Sequence, residues 1–536
     1  MESQANTHRR YPIGIQTFSR IIKDDYVYVD KTDLVWEMTR VSPYVFLSRP
    51  RRFGKSLLSS TLHSYFVGEK KLFGGLKIMA LEKEWKSYPV IHMDLSTAKN
   101  KPNVAELQRY LLLLLEPLRE KYGKNPEEKL PGEVLAGLIR RAYEQTGKQV
   151  VIIIDEYDAP LLDVLHSEEL LPEFRRVMQE FYQPLKASEA MVKFCFITGI
   201  TKFSQLSIFS TINNLTNISM DPAFSTLCGI TEQELFTTMA EDIRLLSEKY
   251  ECTPEEMHGM LKLQYDGYHF SKDSEEVYNP FSLLKAFFHK DLGNYWFETG
   301  TPTFLIKQMR HFRTDITTLE DMEVPSQAFD RPTEAMENAL PLLYQSGYLT
   351  IKDYDRVTRL YTLSIPNQEV RIGFADGLMP TYVGMEGWSV QTGFAVKFWQ
   401  ALRKNDLNLA LEEMKSYLAG LPYVEGFKKK LAEVSNAEGF YEYTFYLIFT
   451  MLNVYARTQV KCAGGRVDMV VQMPDAVYVM ELKVDKTAQE ALDQINTKGY
   501  AIPYQADGRK VVKAGLNFSS ETKTLTDWLI TEQLSN

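Results

Sequence analysis

Short apolar runs alternate with stretches of helical spacing through the first 200 residues of the chain. The runs are YVFL (residues 44–47), PVIHMDLS (89–96), VVIII (150–154) and VKFCFITGITKFS (192–204). The third run consists entirely of β-branched residues, which suits a strand covered on both faces of a parallel sheet. Apolar positions between the runs recur with helical spacing. This alternation predicts an α/β fold with a doubly wound parallel sheet.

A phosphate-binding loop is predicted where the first run meets the next helix. The chain reads SRPRRFGKS, and Gly54-Lys55-Ser56 opens a segment with helical apolar spacing. A strand, a tight loop and a helix N-terminus together present backbone N–H groups to phosphates. Arg49 stands where the pattern G-x-x-x-x-G-K-[ST] has its first glycine. The following Pro50 favours an extended backbone at this position, which arginine adopts without strain.

An acid pair at the end of the third run supplies the second half of such a site. Asp155 and Glu156 come at the carboxyl end of a predicted strand, where ligands bind in open α/β sheets. We expect Lys55 to neutralise the β- and γ-phosphates. Ser56 and Asp155 would hold Mg²⁺, and Glu156 would orient or deprotonate the attacking water. The alternatives are a chance GKS tripeptide, a capped turn at DEYD and a solvated basic loop. The residues predicted to bind the nucleotide are Arg52, Phe53, Gly54, Lys55, Ser56, Leu57, Asp155 and Thr198.

The middle of the chain has mostly helical spacing, with one hairpin pattern. Residues 221–288 predict a helical lid, and their aromatic segments YDGYHFS and VYNPFSLL are interpreted as mainly structural. Residues 339–367 predict a helix and a two-stranded hairpin turning at Asp353-Tyr354-Asp355, compatible with a winged-helix-like module. Because its strands hold few basic residues, regulation or packing is favoured over a DNA contact. Residues 390–421 are again helical, and residues 420–430 predict a linker.

The C-terminal segment brings two acids to facing strands. AVYVMELKV is an apolar strand interrupted by Glu481 and Lys483, which lie on one face. GRVDMVVQM is the preceding strand, and Pro474-Asp475 between them predicts the turn. An even-numbered loop centred on that turn sets Asp468 opposite Glu481 and Arg466 opposite Lys483. An odd loop length would break this register.

Facing carboxylates repel each other unless a divalent cation lies between them. The pair therefore predicts a metal-dependent phosphodiesterase that uses Mg²⁺, with Mn²⁺ as an alternative. Glu442 is the only charge in the apolar helix predicted over residues 439–456, and is either an exposed residue near a helix end or a third active-site acid. The alternative to the metal site as a whole is a salt-bridged structural hairpin.

Composition and charge fit an ordinary globular protein of several domains. The chain has 536 residues, with 44% apolar and 24% charged residues. A net charge of −9 argues against a protein that coats nucleic acid non-specifically, but a local basic groove remains compatible with it. The four cysteines lie far apart, which suggests a reducing cytoplasm. Neither a signal peptide nor a membrane span is predicted.

Several stretches together resemble one protein family. They are YPIGIQTFSRIIKDDYVYVDKTDLV, SRPRRFGKS, IDEYDAP and YDGYHFS…VYNPFSLL. The chain resembles the bacterial AAA-ATPase-like proteins that carry a PD-(D/E)xK nuclease-like C-terminal domain, and the resemblance covers nearly its whole length. Members of that family also lack the first P-loop glycine, so Arg49 agrees with their pattern.

The resemblance also implies roles for the C-terminal residues. The G-R-x-D…E-x-K residues correspond to Asp468, Glu481 and Lys483, of which the two acids bind metal and the lysine positions or activates the water. Other residues of the nuclease motif are Arg466, Gln494 and Tyr500. The residues predicted to bind metal in the two sites are Ser56, Asp155, Glu442, Asp468 and Glu481.

The predicted organisation is an ATPase core, a helical lid, a winged-helix-like connecting region and a nuclease-like α/β domain. These occupy residues 1–220, 221–335, 336–425 and 426–536. The predicted function is ATP-gated cleavage of nucleic acid, with DNA favoured over RNA, in the cytoplasm and away from membranes. A homo-oligomer is compatible with this prediction. The rival interpretations are a regulatory signalling-type NTPase and a non-enzymatic nucleic-acid-binding adaptor.

Overall fold

The computed structural model shows two compact units. It describes residues 9–165, 167–202, 215–299, 303–312, 314, 319–332, 336–382, 394, 397–398, 400–419, 441–442, 444–446, 448–449, 455–462, 464–473, 475–505, 508–522 and 524–533. The first unit combines Met1–Glu298 with Glu323–Asn367, and the second combines Thr299–Met322 with Gln368–Asn536. The boundaries predicted at residues 220, 335 and 425 stay predictions.

A five-stranded parallel sheet forms the centre of the first unit and confirms the predicted α/β fold. Its strands lie in the order β2-β3-β4-β1-β5. All six residues of β3 are buried, as expected for a β-branched run at the centre of a parallel sheet. The strands are β1 (Tyr44–Ser48), β2 (Val90–Asp94), β3 (Val150–Asp155), β4 (Val192–Gly199) and β5 (Leu215–Asn217).

Helices before and between these strands complete the α/β part of the first unit. They are α1 (Phe18–Lys23), α2 (Thr32–Val41), α3 (Lys55–Phe66), α4 (Ile78–Leu81), α5 (Val104–Tyr122), α6 (Pro131–Thr146), α7 (Ala159–Asp163), α8 (Leu170–Tyr182) and α9 (Pro184–Ala187). The strand-to-helix alternation expected of a doubly wound fold is therefore present.

The predicted helical region after residue 221 is also present. It contains α10 (Glu232–Lys249), α11 (Pro254–Tyr265) and α12 (Pro280–His289), which pack around a shared apolar cluster that includes Leu235, Leu261 and Leu283. Thr231 and Thr253 cap α10 and α11 through capping boxes with the glutamates three residues on.

The hairpin of the connecting region belongs to the first unit, but its turn differs from the prediction. Helix α15 (Leu340–Gln345) leads into β7 (Thr350–Asp355) and β8 (Leu360–Ser364), preceded in the chain by β6 (Met322–Val324) and α14 (Ser326–Phe329). The turn predicted at Asp353-Tyr354-Asp355 is wrong, because Asp355 pairs with Leu360 and ends the strand. The Asp355 carboxylate accepts hydrogen bonds from the Val357 and Thr358 N–H groups, which places the turn at residues 356–359.

The second unit is built on a mixed five-stranded sheet in the order β13-β12-β11-β10-β9. The predicted succession of three strands, a helix and a further strand is confirmed. Its strands are β9 (Tyr455–Cys462), β10 (Gly465–Gln472), β11 (Ala476–Val484), β12 (Lys510–Phe518) and β13 (Leu525–Gln533). Its helices are α13 (Thr303–His311), α16 (Gln368–Tyr382), α17 (Leu407–Ala419) and α18 (Ala488–Lys498).

Some predicted boundaries need correction, and others lie outside the described residues. The helix around Glu442 cannot run to Ala456 as predicted, because β9 begins at Tyr455. Strands β5 and β13 were not predicted. Residues 203–204, the linker at residues 420–430 and Pro474 lie outside the described part of the chain. Among the described helices, none is long and apolar enough to cross a membrane.

Candidate functional site

The predicted phosphate loop joins β1 to α3. Gly54 precedes the helix with φ 90° and ψ 16°, a left-handed conformation that glycine adopts without strain. Lys55 is buried, and its Nζ donates to the carbonyl oxygens of Arg49 and Pro50 at 3.0 and 2.9 Å. Burial lowers the pKa of Lys55, whereas the charges of Asp155 and its neighbours raise it. The lysine side chain thus folds back across the phosphate loop and reaches the first two residues of that loop.

Arg49, which replaces the first glycine of the usual pattern, is a structural residue. Arg49 is 2% exposed, and its guanidinium donates to the carbonyl oxygens of Ser48, Ser219 and Phe224 at 3.0, 2.7 and 3.1 Å. It also lies 4.2 Å from the centre of the Phe270 ring. Burial lowers the pKa of Arg49 to about 10. This arginine ties the start of the loop to the segment after β5, a role for which the sequence offers no local signal.

The other residues of the loop pack against aromatic side chains of the same unit. Phe53 is buried between Tyr268 and Phe270, with ring centres 4.7 and 5.3 Å away. The Arg52 guanidinium lies 4.5 Å from the centre of the Phe281 ring. These contacts support the structural interpretation of the segments YDGYHFS and VYNPFSLL.

The predicted acid pair lies at the carboxyl end of β3, as expected. Asp155 is 2% exposed; burial raises its pKa to about 6, and a hydrogen bond from Ser56 and the charge of Lys55 oppose that rise. Glu156 has φ 49°, a left-handed conformation uncommon outside glycine. Its carboxylate lies 3.5 Å from the Lys99 ammonium. Lys55, Ser56 and Asp155 therefore meet at one edge of the sheet.

Thr198 and Asp158 hold the neighbouring strand end in place. The Thr198 hydroxyl is buried and donates to the Leu47 carbonyl oxygen at 2.7 Å, so this predicted nucleotide-binding residue makes its hydrogen bond inside the sheet. The Asp158 carboxylate accepts from the N–H groups of Ile200 and Thr201 and from the Thr201 hydroxyl, at 2.7–3.0 Å. Asp158 was not predicted, although it is the last acid of the DEYD stretch.

The predicted register of the C-terminal hairpin is confirmed where the strands pair. Met469 lies opposite Met480, and Gln472 lies opposite Val477. Asp468 and Glu481 are the residues that adjoin the Met469–Met480 pair on the two strands. At this point backbone N–H groups of the two strands donate to the acidic side chains. The Asp468 N–H donates to the Glu481 carboxylate at 3.4 Å, and the Leu482 N–H donates to the Asp468 carboxylate at 2.8 Å.

Lys483 completes this cluster from the same face of β11. Its Nζ donates to Glu481 Oε1 at 2.9 Å, and Glu481 is 1% exposed. Burial raises the pKa of Glu481, the nearby charge of Asp468 raises it further, and Lys483 opposes the rise. The predicted facing pair of Arg466 and Lys483 lies beyond the end of the hydrogen-bonded ladder. Arg466 is exposed and pairs with Lys461 of β9.

Gln459 connects Glu442 to this cluster and was not predicted. Its Nε2 donates to Glu442 Oε2 at 2.9 Å and lies 3.5 Å from Asp468 Oδ1. Glu442 is buried, so the expectation of an exposed residue near a helix end is wrong. Within the described part of the chain, no group of three or more His, Cys, Asp or Glu side chains is arranged to hold a metal ion. Asp468 and Glu481 thus form a two-carboxylate site, and Glu442 reaches it through an amide.

Of the other predicted motif residues, Gln494 lies on helix α18 and Tyr500 lies just after its end. Gln494 Nε2 lies 3.5 Å from the buried Tyr500 hydroxyl. Gly464 and Gly465 let the β9–β10 turn approach the end of α18, because a Cβ at Gly464 would lie 1.9 Å from the Lys498 carbonyl oxygen. Tyr500 in turn lies against Gly465, beside the first residues of β10.

Comparison with known proteins agrees with both halves of this geometry. Residues 12–209 match the family described as predicted AAA-ATPase, and residues 436–528 match the PD-(D/E)XK nuclease superfamily. A protein of Azotobacter chroococcum mcd 1, named as an uncharacterized protein in the vnfD 5' region, is 33% identical over 98% of this chain and 99% of its own length. The chain belongs to the family of predicted AAA-ATPases with a C-terminal PD-(D/E)XK nuclease superfamily domain.

Proposed function

We propose that this protein binds and hydrolyses ATP in its first unit and uses the nucleotide to control metal-dependent cleavage of nucleic acid in its second. The observation that carries the proposal is the cluster of Asp468, Glu481 and Lys483 on two adjoining strands. Such a cluster is costly to bury as a purely structural feature, because two like charges lie side by side. A bound cation would relieve that cost.

At the nucleotide site, Lys55 changes partners when phosphate binds. Its ammonium leaves the carbonyl oxygens of Arg49 and Pro50 and neutralises the β- and γ-phosphates. Ser56 and Asp155 are the residues that would hold Mg²⁺. Glu156 orients the attacking water once it is released from Lys99.

At the nuclease site, Asp468 and Glu481 are two adjacent carboxylates, and a divalent cation between them would remove their repulsion. Burial raises the pKa of Glu481, and the charge of Asp468 raises it further. A cation beside the two carboxylates would offset the repulsion between them. When bound, Mg²⁺ or Mn²⁺ supplies Lewis-acid activation of the phosphodiester and of water. Lys483 holds Glu481 in place and is positioned to orient that water. The Gln459 side-chain amide connects the Asp468 carboxylate to the Glu442 carboxylate.

DNA is the substrate that we favour, and the link between the two activities runs along the chain. Gly347, just before β7, packs on Pro50 of the phosphate loop, and Tyr268 and Phe270 pack on its Phe53. The chain then runs through β7 and β8 to Asn367. The Asn367 side chain donates to the Asp266 carbonyl oxygen, and the next residue begins α16 of the second unit. A change in the loop can therefore reach the point where the chain enters the nuclease-bearing unit.

The test is cleavage of supercoiled plasmid, linear duplex DNA and RNA by the full-length protein with Mg²⁺, Mn²⁺ or chelator. Glu481→Gln and Asp468→Asn keep side-chain size and remove the charges proposed to hold the cation. Glu521→Ala removes an exposed carboxylate of the same unit and serves as the matched control.

We expect metal-dependent cleavage that falls by about 100-fold or more in Glu481→Gln and Asp468→Asn and is unchanged in Glu521→Ala. Cleavage that persists in chelator, or that survives in both variants, contradicts the assignment. Rapid ATP turnover without cleavage of any substrate favours the regulatory NTPase instead. Nucleic-acid binding that ignores both metal and ATP favours the adaptor.

A further inference from the structure

A cleft of about 370 Å³, which we call the α6–α8 cleft, lies among helices α5, α6, α8 and α9 of the first unit. Its lining is mainly apolar and includes Ala136, Val177 and Phe181. The charged residues of the lining are Glu133 and Glu180, and both are exposed. The cleft therefore fits an apolar group that carries positive charge beside it.

The tip of the β7–β8 hairpin has this composition. The turn reads Arg356-Val357-Thr358-Arg359, and all four residues are exposed. Val357 is 91% exposed, more than any other large apolar side chain in the described ranges. Turns favour Gly, Asn, Asp, Ser and Pro, so the local structure does not require a valine at this position. A valine exposed between two arginines would be explained by a partner that covers it.

Within one chain, the hairpin lies against a different surface. The Arg356 guanidinium is 3.4 Å from the Asp273 carboxylate, and the Lys272 ammonium is 4.7 Å from the centre of the Tyr354 ring. None of these residues lines the α6–α8 cleft. The hairpin tip and the cleft are therefore separate surfaces of the molecule.

The charges on the two surfaces differ in how firmly they are held. The Glu133 carboxylate is committed to its own helix, because it accepts from two backbone N–H groups before α6 at 2.8 and 2.9 Å. Glu180 pairs with Arg176 one turn earlier on α8, and this ion pair is weak because both residues are exposed. Arg356 already has an acidic partner. Arg359 and Glu180 are therefore the two charges that can pair with each other most easily.

We propose that the hairpin tip of one molecule docks into the α6–α8 cleft of a second copy of this chain. Val357 enters the apolar part of the cleft, and Arg359 pairs with Glu180. The aliphatic part of each arginine covers further apolar lining. Because the tip and the cleft are different surfaces, the contact is heterologous and joins the copies head to tail.

The contact would also bear on the phosphate loop of the molecule that supplies the tip. Gly347, just before β7, packs on Pro50 of that loop. A neighbouring molecule that holds the hairpin therefore holds an element that supports the loop. Docking itself needs neither ATP nor nucleic acid, so it can be tested in the absence of both.

The experiment is disulfide trapping between full-length chains, because a four-residue tip buries little area and gives weak association. Val357→Cys and Ala136→Cys are prepared separately, mixed and oxidised with copper–phenanthroline, and linked dimers are quantified on non-reducing gels. Leu263→Cys replaces Val357→Cys in the matched control, because Leu263 is an apolar residue of the same unit and is 64% exposed. The parent chain gives the background from the native cysteines, and circular dichroism establishes that each variant is folded.

We expect Val357→Cys mixed with Ala136→Cys to give about fivefold or more of the linked dimer that Leu263→Cys gives with Ala136→Cys, because complementary charge favours the specific encounter. Each of the three variants alone should give the background of the parent. Arg359→Glu in the Val357→Cys chain should lower the yield by about threefold or more, and Glu180→Arg in the Ala136→Cys chain should then restore it.

Equal yields from Val357→Cys and Leu263→Cys with Ala136→Cys would overturn the contact. Val357→Cys that links to itself as well as it links to Ala136→Cys would overturn the head-to-tail arrangement. A yield that Arg359→Glu leaves unchanged, or that Glu180→Arg does not restore, would overturn the pairing of Arg359 with Glu180.

Discussion

Pro50 of the phosphate loop packs directly on Gly347, the glycine between α15 and β7. A Cβ built at Gly347 would lie 2.6 Å from Pro50 Cβ, closer than such atoms approach in folded proteins. Gly347 also has φ 88°, in the left-handed region. The neighbouring Trp296 indole donates to the Arg51 carbonyl oxygen at 3.3 Å. Gly347 and Trp296 thus support the phosphate loop from outside.

Gly347→Ala should disturb the loop as well as the stability of the fold. The backbone conformation alone costs about 1–2 kcal/mol, and the contact with Pro50 adds about 1–3 kcal/mol. Gly75→Ala is a matched control, because Gly75 has φ 83° and open space where its Cβ would lie. We expect urea denaturation to show a larger loss for Gly347→Ala, and ATP affinity to fall in that variant alone. Equal effects of the two substitutions on stability and on ATP affinity would show that the contact with Pro50 does not affect the phosphate loop.

Arg49→Gly restores the residue of the usual loop pattern, yet we expect it to destabilise the protein. The guanidinium satisfies the buried carbonyl oxygens of Ser48, Ser219 and Phe224, which would lose these hydrogen bonds. Each loss costs about 1–3 kcal/mol, so a total of about 3 kcal/mol or more is expected. Urea denaturation measures this loss. A glycine variant as stable as the parent would mean that these hydrogen bonds contribute nothing to folding.

Asp266 should make the first unit less stable as pH rises. It is 2% exposed, and burial raises its pKa from the ordinary range of an aspartate to about 6. The folded protein therefore holds a proton that the unfolded chain releases, and the stability gained below about pH 4 is lost as pH rises through about 6. Since two pKa units correspond to about 3 kcal/mol, Asp266→Asn should be more stable than the parent by up to that amount at pH 8.

Chemical denaturation at pH 4 and pH 8 checks this prediction. The advantage of Asp266→Asn should be small at pH 4 and large at pH 8. Asp273→Asn, at an exposed aspartate of the same unit, should show no such change. An advantage of equal size at both pH values would mean that the Asp266 carboxyl titrates normally in the folded protein.

Gln459→Met should weaken metal binding at the C-terminal cluster. The substitution removes the amide that links Glu442 to Asp468, so the Asp468 carboxylate loses the group that orients it. Loss of such an outer hydrogen bond typically costs about 10–100-fold in metal affinity. Titration with Mn²⁺ measures the change, and Gln489→Met, at an exposed amide on α18, is the control. Unchanged Mn²⁺ affinity in Gln459→Met would leave Gln459 a purely structural residue.

The features that sequence predicts well are those set by local periodicity. The β-branched run at Val150 gave β3, and the turn residues after Met473 gave the register that brings Asp468 to Glu481. Arg49 could not be understood in this way, since its carbonyl partners at Ser219 and Phe224 lie about 170 residues away in the chain.

The other errors also have identifiable physical causes. The hairpin turn was misplaced because Asp353 and Asp355 can each start a turn, and only the pairing of β7 with β8 decides which of them does. Strand β13 was missed because it lies at the edge of its sheet with most described residues exposed, which weakens the apolar pattern. Gln459 carries no charge, so no buried-charge argument could single it out.

The central claim is that nucleotide at the loop controls the acids of the second unit, and the ATP dependence of plasmid cleavage tests it most directly. Cleavage rates are measured in Mg²⁺ with and without ATP for the parent, for Lys55→Ala and for Lys70→Ala, an exposed-lysine control on the same unit. The account predicts that ATP changes the rate in the parent and in Lys70→Ala, and that Lys55→Ala cleaves at one rate in both conditions. Metal-dependent cleavage by the parent that is indifferent to ATP, or a full ATP response in Lys55→Ala, would contradict it.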